Sequence, residues 1–175
     1  MNIFFTNSDP ILTANDHNNI HMIKMITEHN QLLSAAHHVI DGSEPDGAYK
    51  LTHKNHPSAI WVRQSLDHYN WLVACTQRLC EIYTIKSGKV HAGEAVLKLL
   101  KTPPKGLVSI GFKKPPVAAP DRFKLMSITK GVEVAYQHYL NEKYKEWLGR
   151  DKPMKVEWVL DKPSWVVDFK QEDYV

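Results

Sequence analysis

The chain has 175 residues, 43% of them hydrophobic and 23% charged, with a formal net charge of +3. That length supports one well-formed core and argues against a second domain, and no apolar run approaches the ~18 residues a membrane helix needs. So small a positive charge is compatible with a nucleic-acid partner without implying one.

Residues 1–9 read as a short strand or an anchored extended arm centred on Ile3-Phe4-Phe5. The opening MNIFFTNSDPIL has neither the basic start nor the long apolar stretch of a secretory signal. Ser8-Asp9-Pro10 opens a short helix, with proline at its first position. A helix over Asn18–Ile40 follows, because Ile20, Ile23, Ile26, Leu33 and Ala36 recur at helical spacing and Met22, Met25, Leu32 and Val39 widen the stripe. The turn-rich run Asp41–Gly47 ends it.

Thr52–Pro57 then leads into the longest predicted helix, about Ser58 to Ser87. Its buried stripe is Ile60, Trp61, Tyr69, Leu72, Cys75, Leu79, Ile82 and Tyr83, and Gly88 is its C-cap. His91–Leu100 predicts another short helix. Thr102–Pro120 contains five prolines, which forbid regular helix, and its surroundings carry Lys101, Lys105, Lys113 and Lys114; it reads as an ordered irregular surface loop. A last long helix spans 129–149. The tail, with Trp158, Pro163, Ser164 and Trp165, is expected to pack back across the body. The sum is a mainly α, single compact irregular helical domain over residues 1–175, with a Pro-rich loop and a short N-terminal extended segment.

Cys75 and Cys80 are five positions apart on a helix, so they point to different faces and suit a reducing cytoplasm better than a disulfide. His17 and His21 are four apart and could share a zinc ion, but no four-ligand pattern and no H-E-x-x-H run supports them. No metal and no cofactor are expected. The adjacent His37 and His38 point apart.

Three constellations carry chemistry. His21, Lys24, Glu28, Gln31 and Ser34 fall at steps of three and four, on one polar face of the second helix. Such a stripe is most often a solvated surface, and Lys24–Glu28 alone could be a weak surface ion pair. Its mixture of acid, base, amide, hydroxyl and imidazole points instead to a site. The run THKNHPSAIWVR supplies the second: Tyr49, His53, Asn55, His56 and Arg63 gather before and after Pro57. Pro57 forces His56 into an extended conformation, and the next helix presents free N–H groups to an anion such as phosphate. Ser58 or Asn55 as a plain cap explains the same run without a ligand. The third is Lys89 and His91 after Gly88, which suit either the helix C-terminus or a phosphate. Trp61, Tyr69 and Trp71 are read as core, with base stacking as the alternative.

The runs NNIHMIKMITEHNQLLSAAH, YKLTHKNHPSAIWVRQSLDHYNWL and EIYTIKSGKVH resemble a family of small phage proteins. Its members share a D-K-H-x-x-K-M-x-x-E-x-x-Q-L-L-S pattern followed by T-H-x-N-H-P-x-x-x-W, and are described as pyrimidine-dimer DNA glycosylase-like, similar to phage endonuclease V. The likeness is strong over residues 1–100 and weak over Tyr136–Trp165. It implies a phage enzyme of the host cytoplasm that acts on DNA, at a base or at deoxyribose C1′. Glu28, with His21 seven residues before it, takes the place of the catalytic Glu. In endonuclease V that Glu works beside an N-terminal α-amine, which attacks C1′ and forms a Schiff base. This sequence departs in three places. It opens Met1-Asn2, it carries an extra segment before the helix, and Asn19 stands where the family has Asp.

Lys24 offers a second amine. Glu28, Lys24, His21 and His56 are thus the expected catalytic residues. Gln31, Ser34, Tyr49, His53, Asn55, Arg63, Lys89 and His91 are the expected substrate and phosphate contacts. Two other functions fit the same residues: a transferase that modifies a base in phage DNA, and a non-catalytic protein that binds a nucleic acid or a nucleotide.

Overall fold

The computed structural model describes residues 1–169. Its seven helices are α1 (Pro10–Asn15), α2 (Asn19–Asp41), α3 (Pro57–Val62), α4 (Leu66–Ser87), α5 (Gly93–Leu100), α6 (Asp121–Lys130) and α7 (Val132–Leu148). No strand occurs among the described residues. The fold is mainly α, as the apolar spacing predicts.

Each boundary has a local cause. The Asp9 carboxylate accepts from the N–H groups of Ile11 and Leu12 and starts α1. Asn18 does the same for α2 through Ile20 and His21, and Gly42, at φ 86°, ends it in the left-handed conformation that glycine adopts without penalty. Ile3-Phe4-Phe5 is an extended arm rather than a strand: it pairs with no neighbour, and all three side chains are buried.

Two expectations are corrected. The single helix from Ser58 to Ser87 is two, because the chain turns at Arg63–Ser65 and the Ser65 hydroxyl recaps α4 by accepting from the Asp67 N–H. The helix over 129–149 is preceded by a separate one, α6, which begins after Pro120 and stops at Gly131 (φ 96°).

Helix α2 is the centre of the packing. It lies against α3, α4 and α5, while α1 packs on α4 and α6 on α7. Met22, Met25, Ile26, Leu32 and Leu33 from α2 join Leu72, Cys75 and Leu79 from α4 and Tyr136 and Tyr144 from α7 in one core. Both cysteines are free and buried. The tail returns across the body as expected. The indoles of Trp158 and Trp165 donate to the Asp16 carbonyl and carboxylate, and Asn19 exchanges hydrogen bonds with Lys155 and Glu157.

Candidate functional site

The arm decides where the first residue lies. Asn2 is nearly fully buried, and its amide is satisfied from three sides. Its Oδ1 accepts from the Ile3 N–H and from the Tyr136 hydroxyl, each at 2.8 Å, and its Nδ2 donates to the Ala118 carbonyl at 2.9 Å. Tyr136 in turn accepts from the Ala118 N–H. Arm, Pro-rich loop and α7 are thereby locked together, and the Met1 side chain is only 4% exposed.

The lock points the start of the chain at α2. The α-amino nitrogen of Met1 stands 3.8 Å from Glu28 Oε2, and the Asn2 N–H donates to the same oxygen at 3.1 Å. Lys24 Nζ lies 3.5 Å from Oε1. The carboxylate is 14% exposed and the lysine 66%, so the acid is recessed below the lysine yet still touched by solvent. A carboxylate placed between two amines, and hydrogen-bonded by a backbone N–H, is positioned to accept a proton from either amine or to face a developing cation.

One residue of the histidine-bearing turn lies within electrostatic range of this carboxylate. His56 is held below the ordinary imidazole pKa by burial first, then by the positive charge of the chain's N-terminus and by His53; Glu28 pulls the other way. These influences place His56 within electrostatic reach of the amine and the carboxylate. His56 Nδ1 accepts from the Ser58 N–H at 3.2 Å and so caps α3, which leaves the neutral ring's proton on Nε2. The cap and the site are therefore the same residue. His53 sits at φ 50°, a left-handed conformation uncommon outside glycine, and its carbonyl accepts from the His56 N–H. Arg63 Nη1 donates to the Lys54 carbonyl at 2.6 Å and braces the turn from α3. Asn55 is exposed in the turn.

Beside His56 opens a groove of about 720 Å³. One wall is Pro57 and the loop Pro116–Pro120; the other is Lys124, Ser127 and Ile128 of α6 with Tyr139 of α7. Tyr139 feels the charge of Lys24, although burial dominates and raises its hydroxyl pKa. Tyr139, on the groove wall, and Lys24, beside Glu28, are thus within electrostatic range of each other.

Four expected site residues stand elsewhere. His21 is 3% exposed; its ring lies 4.5 Å from that of Phe4 and 4.9 Å from that of Trp147, beneath the arm. Burial, helped by the charges of His17, Lys143 and Lys24, holds its pKa well below the usual value, so it is a neutral core ring. Ser34 is fully buried, donates to the Asn30 carbonyl and accepts from the Tyr49 N–H, which makes it a fastening for the loop after α2 rather than a ligand contact.

Lys89 and His91 lie across α2 from Glu28. His91 Nδ1 accepts from the Gly93 N–H, and Gly93 sits against Ile26 and Asn30. At about 100° per residue those two project roughly 160–200° from Glu28. Gln31 remains partly buried on the Glu28 face, and Tyr49 is half-buried. Asn2, Lys124, Tyr136 and Tyr139 were not among the expected residues. The one sequence signal for the arm is Ile3-Phe4-Phe5, an apolar triplet that has to be buried somewhere.

Among the described residues no three His, Cys, Asp or Glu side chains come together as a metal site, and no helix is long and apolar enough to cross a membrane. Compared with family models, curated proteins and solved structures, the chain matches none.

Proposed function

We propose that the protein is a DNA glycosylase-like enzyme that works through an amine held against Glu28, acting at the C1′ of a deoxyribose whose base has been drawn out of the stack. The observation that carries the reading is the Met1 α-amine 3.8 Å from Glu28 Oε2, with Lys24 on the other oxygen. The resemblance to the phage glycosylase-like family supports it, as does the electrostatic proximity of His56 to the amine and the carboxylate.

The α-amine, as free base, attacks C1′. A C1′–N bond forms, the glycosidic bond breaks, and the base leaves with the bonding pair and with the proton that Glu28 has removed from the attacking amine. Opening of the sugar ring, with a proton from water delivered to its oxygen, leaves a C1′ iminium. Glu28 takes the proton from the attacking amine and stabilises positive charge as it develops at C1′. Loss of a C2′ proton then expels the 3′-phosphate, and water returns the amine. Met1 is held in place by the buried arm, whereas Lys24 is 66% exposed, which favours Met1 over Lys24 as the nucleophile. Lys24, Arg63 and the Nε2–H of His56 serve the flanking phosphates. The groove beside His56 receives the extruded base.

The test is borohydride reduction of the imine. Protein mixed with an oligonucleotide carrying an abasic site should be trapped as a covalent adduct, and peptide mass mapping should place the DNA on residue 1. Lys24→Arg should still be trapped, and a protein acetylated at its α-amine should not. Absence of any adduct, or an adduct on Lys24, overturns the assignment. Intact DNA that gains the mass of a small donor supports a base-modifying transferase instead.

A further inference from the structure

The loop from Thr102 to Pro120 is not consumed by the site above. Between Glu94 and Asp121 the chain carries five lysines and no acidic residue. Two of the five are neutralised, Lys98 by Glu94 and Lys114 by Glu133. Lys101, Lys105 and Lys113 make no ion pair with a carboxylate among the described residues. The one acid near Lys105, Asp41, spends both oxygens on the N–H groups of Lys105 and Gly106.

The loop is also rigid where it is most exposed. The Val108 carbonyl accepts from the Leu66 N–H, and the Ile110 N–H donates to the Ser65 hydroxyl. The Lys113 N–H donates to His68 Nε2, while its carbonyl accepts from the Trp61 indole. With its backbone fastened inward to the start of α4, the loop turns Val108 and Ile110 outward, at 64% and 65% exposure. Two large aliphatic side chains held in water by these four hydrogen bonds are not a loosely packed edge of the core. A few residues beyond Lys113, the same loop becomes the wall of the groove.

We propose that Lys101–Lys113 is a preformed ridge for duplex DNA, on which Lys101, Lys105 and Lys113 hold phosphates while Val108 and Ile110 wedge against a base step. Three exposed lysines without carboxylate partners along one fastened stretch of chain match a phosphate backbone in charge. A fixed aliphatic pair between lysines has the chemistry of side chains that part stacked bases and kink the helix. The ridge would then open the duplex a short distance from the groove that takes the extruded base. Its partner rests on the DNA reading above; its existence does not depend on the chemistry at Glu28.

The test uses the full-length protein, duplex DNA with 2-aminopurine at successive steps, and a salt titration of affinity. The triple variant Lys101→Gln/Lys105→Gln/Lys113→Gln should weaken binding and flatten the slope of log affinity against log salt by up to about 0.9 for each lysine. Val108→Ser/Ile110→Ser should keep the slope and lose the rise in 2-aminopurine fluorescence that reports unstacking. All five positions are solvent-exposed, so both variants are expected to fold, as a thermal melt checks. An unchanged salt slope in the triple variant, or ridge-dependent binding to anionic lipid vesicles in place of duplex DNA, overturns the proposal. Borohydride trapping on a short single-stranded abasic oligonucleotide reads the Glu28 site separately, and it should survive in both variants.

Discussion

The ten histidines of this chain look alike in sequence, but the fold places five of them in two contrasting environments. His17, His21 and His29 are buried between α2, the arm and α4, and burial holds all three below the ordinary imidazole pKa, His17 at about 4. His17 Nδ1 bonds to the Thr13 carbonyl and His29 Nδ1 to the Thr76 hydroxyl, so each ring is fixed as a neutral tautomer. His53 and His56, by contrast, sit on a turn that reaches the surface, His53 exposed and His56 half-buried within electrostatic range of Glu28 and the chain's amine. The comparison teaches that what a histidine can reach is set by where the backbone leaves it. A cluster rich in the residue is no guide to where the reaction is.

The sharpest way to break the comparison is at the carboxylate. Glu28→Gln should cut imine formation by about 10²–10⁴-fold, the range for loss of a positioned acid or base. It should leave the core, and therefore the thermal midpoint, nearly unchanged. If the adduct yield survives the substitution, the recess has no special standing over the buried histidines.

Acid tests the other side. A histidine with a depressed folded pKa binds fewer protons folded than unfolded, so its contribution is complete above the unfolded value of about 6.5 and is lost as pH falls toward the folded one. For His17, with a folded value of about 4, the loss on going from pH 7 to pH 4 is about 3 kcal/mol. His21 and His29 act in the same direction. Urea titrations across that range should show a steep decline, and His17→Gln should flatten it. A flat profile in the native protein would mean that water reaches the rings.

Asn2→Ala removes three hydrogen bonds that hold the arm. It should lower stability by about 1–3 kcal/mol, the scale for leaving a buried partner such as the Tyr136 hydroxyl unsatisfied. Adduct formation should fall with it, because the amine is no longer aimed at Glu28. The smallest effect is expected at the far side of α2. Lys89→Ala should change stability by less than about 0.5 kcal/mol, the surface norm, and His91→Ala by about 0.5–1.5 kcal/mol through the lost Gly93 N–H bond; both should leave trapping intact.

What could be read from the sequence was local. Asn18 and Gly42 mark α2 because caps act within one turn, and the Lys24–Glu28 and His56–Pro57 features lie within a few residues of each other. The turn at Arg63–Ser65 was hidden because apolar spacing runs on from Trp61 to Tyr69 and Leu72, and a serine cap inside such a run looks like any surface serine. Helix α6 was hidden for the opposite reason: it buries only Phe123 and exposes Leu125 and Ile128, so there is no stripe to find. The steps of three and four that grouped His21 and Ser34 with Glu28 fix direction around an axis but not what covers it. The arm and the loop after α2 cover those two. The meeting of Met1 with Glu28 depends on Ala118 and Tyr136, and no spacing rule reaches that far.

The Asn2–Tyr136 bond spans 134 positions of chain. At ribosomal speeds of about 5–20 residues per second, the asparagine emerges roughly 7–27 s before its tyrosine is made. For that interval Ile3, Phe4 and Phe5 have no permanent home, and the segment is a natural client for a chaperone on the nascent polypeptide. The recess at Glu28 therefore comes into being late in synthesis, and a truncated product that stops before α7 would carry its acid and its amine without ever bringing them together.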